Sequence, residues 1–164
     1  MLSLRLGRAG QGATGDVLAL LPIVAELGFV RRRYEEVVMA FEVAPSIGGI
    51  CHYCTGWRSR LGATVRLHLA PAFVVDPWVG AGAGIELLSA PQQTGSNNAT
   101  PMVGPYVALQ VGVDVQPSPG VRVGPYVAGS GQSYFLHTNG RETPGWATET
   151  PTSLEVGLRV AHEF

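Results

Sequence analysis

The chain has 164 residues, a formal net charge of −1 and only 14 % charged residues, and its eleven basic residues are all Arg. An average soluble domain carries roughly 25 % charge, much of it Lys and Glu, so this surface is poorly suited to water on every side. Near-neutral charge argues against a nucleic-acid partner, and no run reaches the roughly 18 uninterrupted apolar residues of a membrane helix.

Period-two alternation of apolar with small or polar residues runs along the chain, the signature of strands with one greasy and one mixed face. Eight strands are expected. The first is short, Leu2–Gly7, with Leu2, Leu4 and Leu6 on the apolar face. The second, Val17–Val30, presents Ala19, Leu21, Ile23, Ala25, Leu27 and Phe29. The third, Glu36–Ser46, shows Val37, Met39, Phe41 and Val43, and the fourth, Ser59–Ala70, shows Leu61, Ala63, Val65, Leu67 and Leu69. Leu, Ala and Glu enrich Asp16–Ala44 enough for a helix, but Pro22 and Gly28 favour strand there. The fifth strand, Trp78–Leu88, alternates Val79, Ala81, Ala83, Ile85 and Leu87 with glycines. The sixth, Tyr106–Gln116, is the cleanest, with Val107, Leu109, Val111, Val113 and Val115 on one face. The seventh spans Gly120–Leu136, and the eighth carries Leu154, Val156, Leu158 and Val160 to the terminal Phe164.

The connections alternate too. Arg31–Glu35, Pro71–Pro77 and Pro117–Pro119 are short, whereas the other four links are longer and rich in Gly, Thr, Asn and Pro. Short turns at one end and long loops at the other are the asymmetry of transmembrane β-barrels, with both termini at the short-turn end. A three-residue turn Pro117-Ser118-Pro119 sets Gln116 opposite Gly120 and Asp114 opposite Arg122.

Charge decides which face is inside. Arg5, Arg60, Arg66, Arg122 and Arg159, with Glu26, Glu42, Glu86, Asp114 and Glu155, all fall on the mixed face, and only His162 falls on the apolar one. Small residues beside paired charges suit the narrow interior of an eight-stranded barrel, so the mixed face is expected to line the lumen. The period-two glycines make room there for large neighbours such as Tyr106. Aromatic girdles are expected at the two rims, with Phe29, Trp78 and Phe164 at the short-turn end and Trp57 and Phe135 at the other.

The strand and loop organisation of the whole chain resembles the OmpA/OmpX-type outer-membrane proteins. Pro77–Gly84 and the Gly124–Val127 strand start also resemble segments of uncharacterised barrels of that kind. The resemblance implies one all-β domain over 1–164, an eight-stranded antiparallel up-and-down transmembrane barrel with short periplasmic turns and longer extracellular loops. It also implies a place in the bacterial outer membrane, lipid as the surrounding partner, and a monomer. Val156, Leu158, Val160 and Phe164 resemble the signal read by the barrel-assembly machinery, from which His162 departs. The first residues lack the apolar core and cleavage site of a secretory signal, so the native signal peptide is expected upstream.

Chemistry-bearing motifs are sparse. Cys51-His-Tyr-Cys54 lacks the following helix of a redox CxxC and the further ligands of a zinc site. It reads first as a disulfide in an exposed loop, with free thiols or a metal or redox role as lesser readings. Gly80–Gly84 has neither the spacing nor the context of a dinucleotide fingerprint. Ser133 and His137 share a face, but about 13 Å of strand separates them, too far for a nucleophile and its base. No enzyme, metal or cofactor is expected. The leading expectation is a barrel with a charge-paired, largely plugged lumen and a structural or surface-interaction role. A small channel or ligand conduit, and a soluble lipocalin-like binder, are the alternatives.

Overall fold

A computed structural model describes residues 1–13, 16–32, 34–49, 56–90, 100–136 and 152–164. Its strands are β1 (Leu2–Ala13), β2 (Asp16–Leu20), β3 (Ile23–Arg32), β4 (Glu35–Gly49) and β5 (Trp57–His68). They continue as β6 (Val75–Ala90), β7 (Thr100–Ser118), β8 (Val121–Gln132), β9 (Phe135–Leu136) and β10 (Thr152–His162). No helix among the described residues is long and apolar enough to cross a membrane. Every pairing is antiparallel, and β10 closes on β1. The ten segments make eight staves. Pro22 has no N–H to give the ladder and divides β2 from β3, while β9 pairs with β7 beyond the end of β8.

Pairing followed once around the wall runs from His162 through Leu2, Leu27, Met39, Ala63, Ala83, Val107 and Gly131 to Thr152. The path returns to β10 ten residues above its start. With a rise of about 3.3 Å per residue and about 4.8 Å between strands, that stagger tilts the strands by roughly 40°. The wall then has a radius of about 8 Å, room for side chains and little else.

The two faces separate as alternation demands. Val107, Leu109 and Val111 are 64 %, 70 % and 53 % exposed on the outside, while Ala108 and Gln110 between them are buried. This is the inverse of a lipocalin-like binder, whose apolar side chains line the cavity. The segment 16–44, ambiguous in composition, is strand throughout its described residues apart from the Leu21–Pro22 break and the turn before β4.

Four expectations need correction. β1 extends six residues past Gly7, because Ala9 and Gln11 continue the inward alternation and the strand pairs with β10 up to Thr152. The first link therefore shrinks to residues 14–15, which lie outside the described residues. That longer strand also carries Arg8 onto the outward face, so the outside holds a charge besides His162. The turn after β7 is tighter than three residues: Ser118 pairs with Val121 across Pro119-Gly120, with Gly120 at φ 76°. Proline at the first central position and a left-handed glycine at the second suit this turn. The register shifts between Val115 and Ser118, so Val115 faces Val123 and Asp114 does not lie opposite Arg122, although both still face inward. Finally, Trp78 is 1 % exposed and points into the lumen, not into a girdle. Phe29 and Phe164 at the short-turn end and Trp57 at the long-loop end do face outward; the side chain of Phe135 lies outside the described set.

Candidate functional site: a charged lumen

Strand parity delivers every inward charge to the barrel axis, where the small radius forces the side chains together. Near the short-turn end, Arg159 is fully buried and its Nη2 donates to both oxygens of Glu36, at 2.7 and 2.9 Å. Its Nη1 donates to Asp114 at 2.5 Å. Arg66 donates to Glu36 at 2.6 Å and also bonds Glu26. Glu26 further accepts from the Ser3 hydroxyl and forms an ion pair with the Arg5 guanidinium at 2.9 Å. The Trp78 ring lies beneath two of these cations, 5.1 Å from Arg66 and 5.7 Å from Arg159. It fits because Gly112 leaves its place empty: a β-carbon there would strike the indole.

At the mouth of this end, His68 sits between two carboxylates, Asp76 at 2.7 Å and Glu36 at 3.1 Å. Arg122 lies 3.6 Å from Asp76 and 2.9 Å from Glu163 near the chain terminus. Toward the long-loop end a second cluster forms. Arg58 grips Glu42 through Nε at 2.7 Å and Nη2 at 2.5 Å and approaches Glu155 at 3.6 Å. Arg60 pairs with Glu86 at 2.5 Å and donates to Ser130 at 2.8 Å. Gln11 donates to Glu86 at 3.1 Å and to the Tyr134 hydroxyl at 2.7 Å, and Tyr134 in turn bonds Glu86. Arg5 links the levels: it lies 3.9 Å from Glu155 and stacks over Tyr126, whose hydroxyl bonds the same carboxylate. Between the clusters lies a small polar chamber lined by Glu42, Thr64, Tyr106, Gln110, Ser130 and Glu155.

The ten charged residues read from the sequence thus all face the lumen. Asp114 finds Arg159 as its partner, and Arg122 finds Asp76 and Glu163, in place of each other. Glu36, Arg58, His68 and Asp76 were missed as members. Glu36 and His68 already share the even, inward parity of their expected strands, and Arg58 and Asp76 lie one and two residues before the expected starts of theirs, within reach of the same parity. Room made by glycine is as expected: β-carbons at Gly62 and Gly84 would both meet Tyr106, and those at Gly7 and Gly157 would meet Tyr126. The expected Cys51–Cys54 disulfide and the Ser133–His137 pair cannot be placed, since Cys51, Cys54 and His137 fall outside the described residues. Among the described residues no cluster of His, Cys, Asp or Glu is arranged to hold a metal.

No family model and no curated protein matches the sequence. Solved structures do match its fold. Neisserial surface protein A superposes with a TM-score of 0.71 over 98 % of this chain and 95 % of its own, at 11 % identity. The fold is that of the eight-stranded outer-membrane β-barrels. A second such structure, the outer-membrane enzyme PagL, matches at a TM-score of 0.50 and 11 % identity, over 96 % of this chain and 97 % of that one. The outer-membrane barrel fold explains both faces at once: a lipid-facing apolar exterior and a polar interior too narrow to hold much beyond its own side chains.

Proposed function

We propose that the protein is an integral protein of the bacterial outer membrane whose lumen is plugged by its own ion pairs. Its working surface is then the long loops, in a structural or surface-interaction role without catalysis. The observation that carries this reading is the continuity of side-chain contacts across the bore. Gln11 on β1 reaches Glu86 on β6, Arg58 on β5 approaches Glu155 on β10, and Arg159 on β10 holds Glu36 on β4, so buried groups cross the bore at successive levels between the long-loop and short-turn ends. Each guanidinium holds carboxylates from other strands, so a hydrated ion crossing the bore would have to displace pairs that water cannot readily replace. In this setting the surrounding partner is outer-membrane lipid, the barrel works as a monomer, and the β10 end from Val156 to Phe164 serves the assembly machinery.

A narrow conduit is the competing reading, and the polar chamber between the two clusters favours it. Planar-bilayer recording separates the two. The plugged barrel gives no steady openings in the wild type, whereas Trp78→Gly together with Arg159→Gly raises conductance. Steady wild-type openings would overturn the plug.

A further inference from the structure

The outward face carries a single charge away from the short-turn rim among the described residues, and that charge is Arg8. The other outward ionisable groups, Arg31, Glu35 and His162, lie at the short-turn rim, where Arg31 pairs with Glu35 at 3.8 Å. Arg8 is exposed and makes no ion pair or hydrogen bond among the described residues. Its sheet neighbours are apolar, with Val156 directly opposite on β10 and the Leu21–Pro22 break on the other side. Six residues along a strand tilted by roughly 40° place it about 15 Å above Leu2 along the barrel axis.

The outward surface changes character at that height. Below Arg8 on the adjacent strands are Leu2, Leu4, Leu6, Leu158 and Val160, all well exposed. Level with it or above stand Gly10 on β1, Thr152 and Leu154 on β10, and Gly129 and Gly131 on β8, the last two flanked on β7 by the exposed Leu109 and Val107. A β-carbon added at Gly129 or Gly131 would meet nothing within 4 Å, so the wall there is bare backbone open to its surroundings. The greasy belt thins beside Arg8, where the surface steps inward over these glycines between Leu154 and the β7 side chains.

We propose that Arg8 and the glycine-lined recess above it bind the phosphate head group of a lipid in the leaflet at the long-loop end. The proposal rests on the membrane-barrel reading above. A guanidinium without a partner at the edge of a hydrocarbon belt is uncompensated unless an anion meets it, and a lipid phosphate is the anion available at that depth. The planar fork donates two parallel hydrogen bonds to phosphate oxygens. Its long stem reaches up from the last apolar row to the head-group level, and the absent side chains of Gly10, Gly129 and Gly131 let the head group approach the backbone.

The test uses the full chain refolded in phosphatidylcholine vesicles doped with phosphatidic acid of the same acyl chains, then released into detergent for native mass spectrometry. The wild type should keep one phosphatidic acid per barrel. Arg8→Gln should reduce that retention by about tenfold, as expected for losing a charge-assisted pair. Arg8→Lys should fall between them, and Arg31→Gln should match the wild type. Equal retention by wild type and Arg8→Gln would overturn the site. Dimers that disappear in Arg8→Gln would overturn it in favour of contact between copies. A chain that stays outside the vesicles, with no β-sheet signal in the lipid fraction, would instead remove the membrane reading itself.

Discussion

Arg159→Met is the sharpest perturbation of the lumen. The substitution keeps much of the apolar stem but deletes a fully buried guanidinium that holds Asp114 at 2.5 Å and Glu36 at 2.7 Å. Glu36 still has Arg66 at 2.6 Å and His68 at 3.1 Å. Asp114 has no other ion-pair partner among the described residues, and it lies directly opposite Asp76 on β6. Removing Arg159 therefore leaves a buried, uncompensated carboxylate facing a like charge, a situation that costs about 3–5 kcal/mol. Adding Asp114→Asn removes the stranded charge, and the double variant should recover about 1–3 kcal/mol of the loss. The assay is reversible urea unfolding in lipid vesicles followed by tryptophan emission, since Trp78 packs 5.7 Å from Arg159. With a slope of about 2 kcal/mol per molar urea, the single variant should unfold about 2 M earlier than the wild type. If Arg159→Met falls within 1 kcal/mol (about 0.5 M) of wild type, or if the double variant is no better than the single, the lumen is wetter and more forgiving than these contacts imply.

Other outcomes follow from the same geometry. Leu109→Arg, at mid-height on the outward face, should destabilise the barrel in vesicles by about 2–4 kcal/mol, measured by the same unfolding assay. Gly112→Ala pushes a methyl into the Trp78 ring and should cost about 1–3 kcal/mol, whereas Gly129→Ala, with open space around it, should be close to neutral. Replacing Pro119 in the β7–β8 turn by Ala should lower stability by less than about 1 kcal/mol, because it changes mainly the freedom of the unfolded chain; Gly120→Ala, at φ 76°, should cost more than that.

Much of the barrel is legible in the sequence because a membrane barrel of this size offers alternation only two environments. Every inward charge betrays its parity, which is why Arg5, Glu26, Arg66 and Arg159 could be placed in the lumen without coordinates. What alternation does not encode is where a strand stops. β1 runs on through Gly10, whose missing side chain erases the apolar signal, and so Arg8 was not seen as an outward charge. Trp78 was misplaced because an aromatic near a strand end suits a girdle as well as a lumen, although its even number already put it with Gly80 and Gly82. The turn after β7 shows a different limit. Parity fixes whether a loop is odd or even, but a bulge between Val115 and Ser118 changes the count, and the partners of Asp114 and Arg122 change with it. Long-range ion pairs such as Arg58 with Glu155 or Arg159 with Glu36 depend on the ten-residue stagger of the closed wall, which no local pattern reports.

The central claim is that odd-numbered residues of β7 face lipid while even-numbered ones face the lumen. Single cysteines at Val107, Ala108, Leu109, Gln110 and Val111, in a background with Cys51 and Cys54 replaced by Ser, can be tagged with an environment-sensitive fluorophore in vesicles containing brominated acyl chains. Labels at 107, 109 and 111 should be blue-shifted and strongly quenched by the bromine atoms, and labels at 108 and 110 should be neither. Uniform quenching along the segment, or quenching at the even positions alone, would contradict the inside–outside assignment on which the account stands.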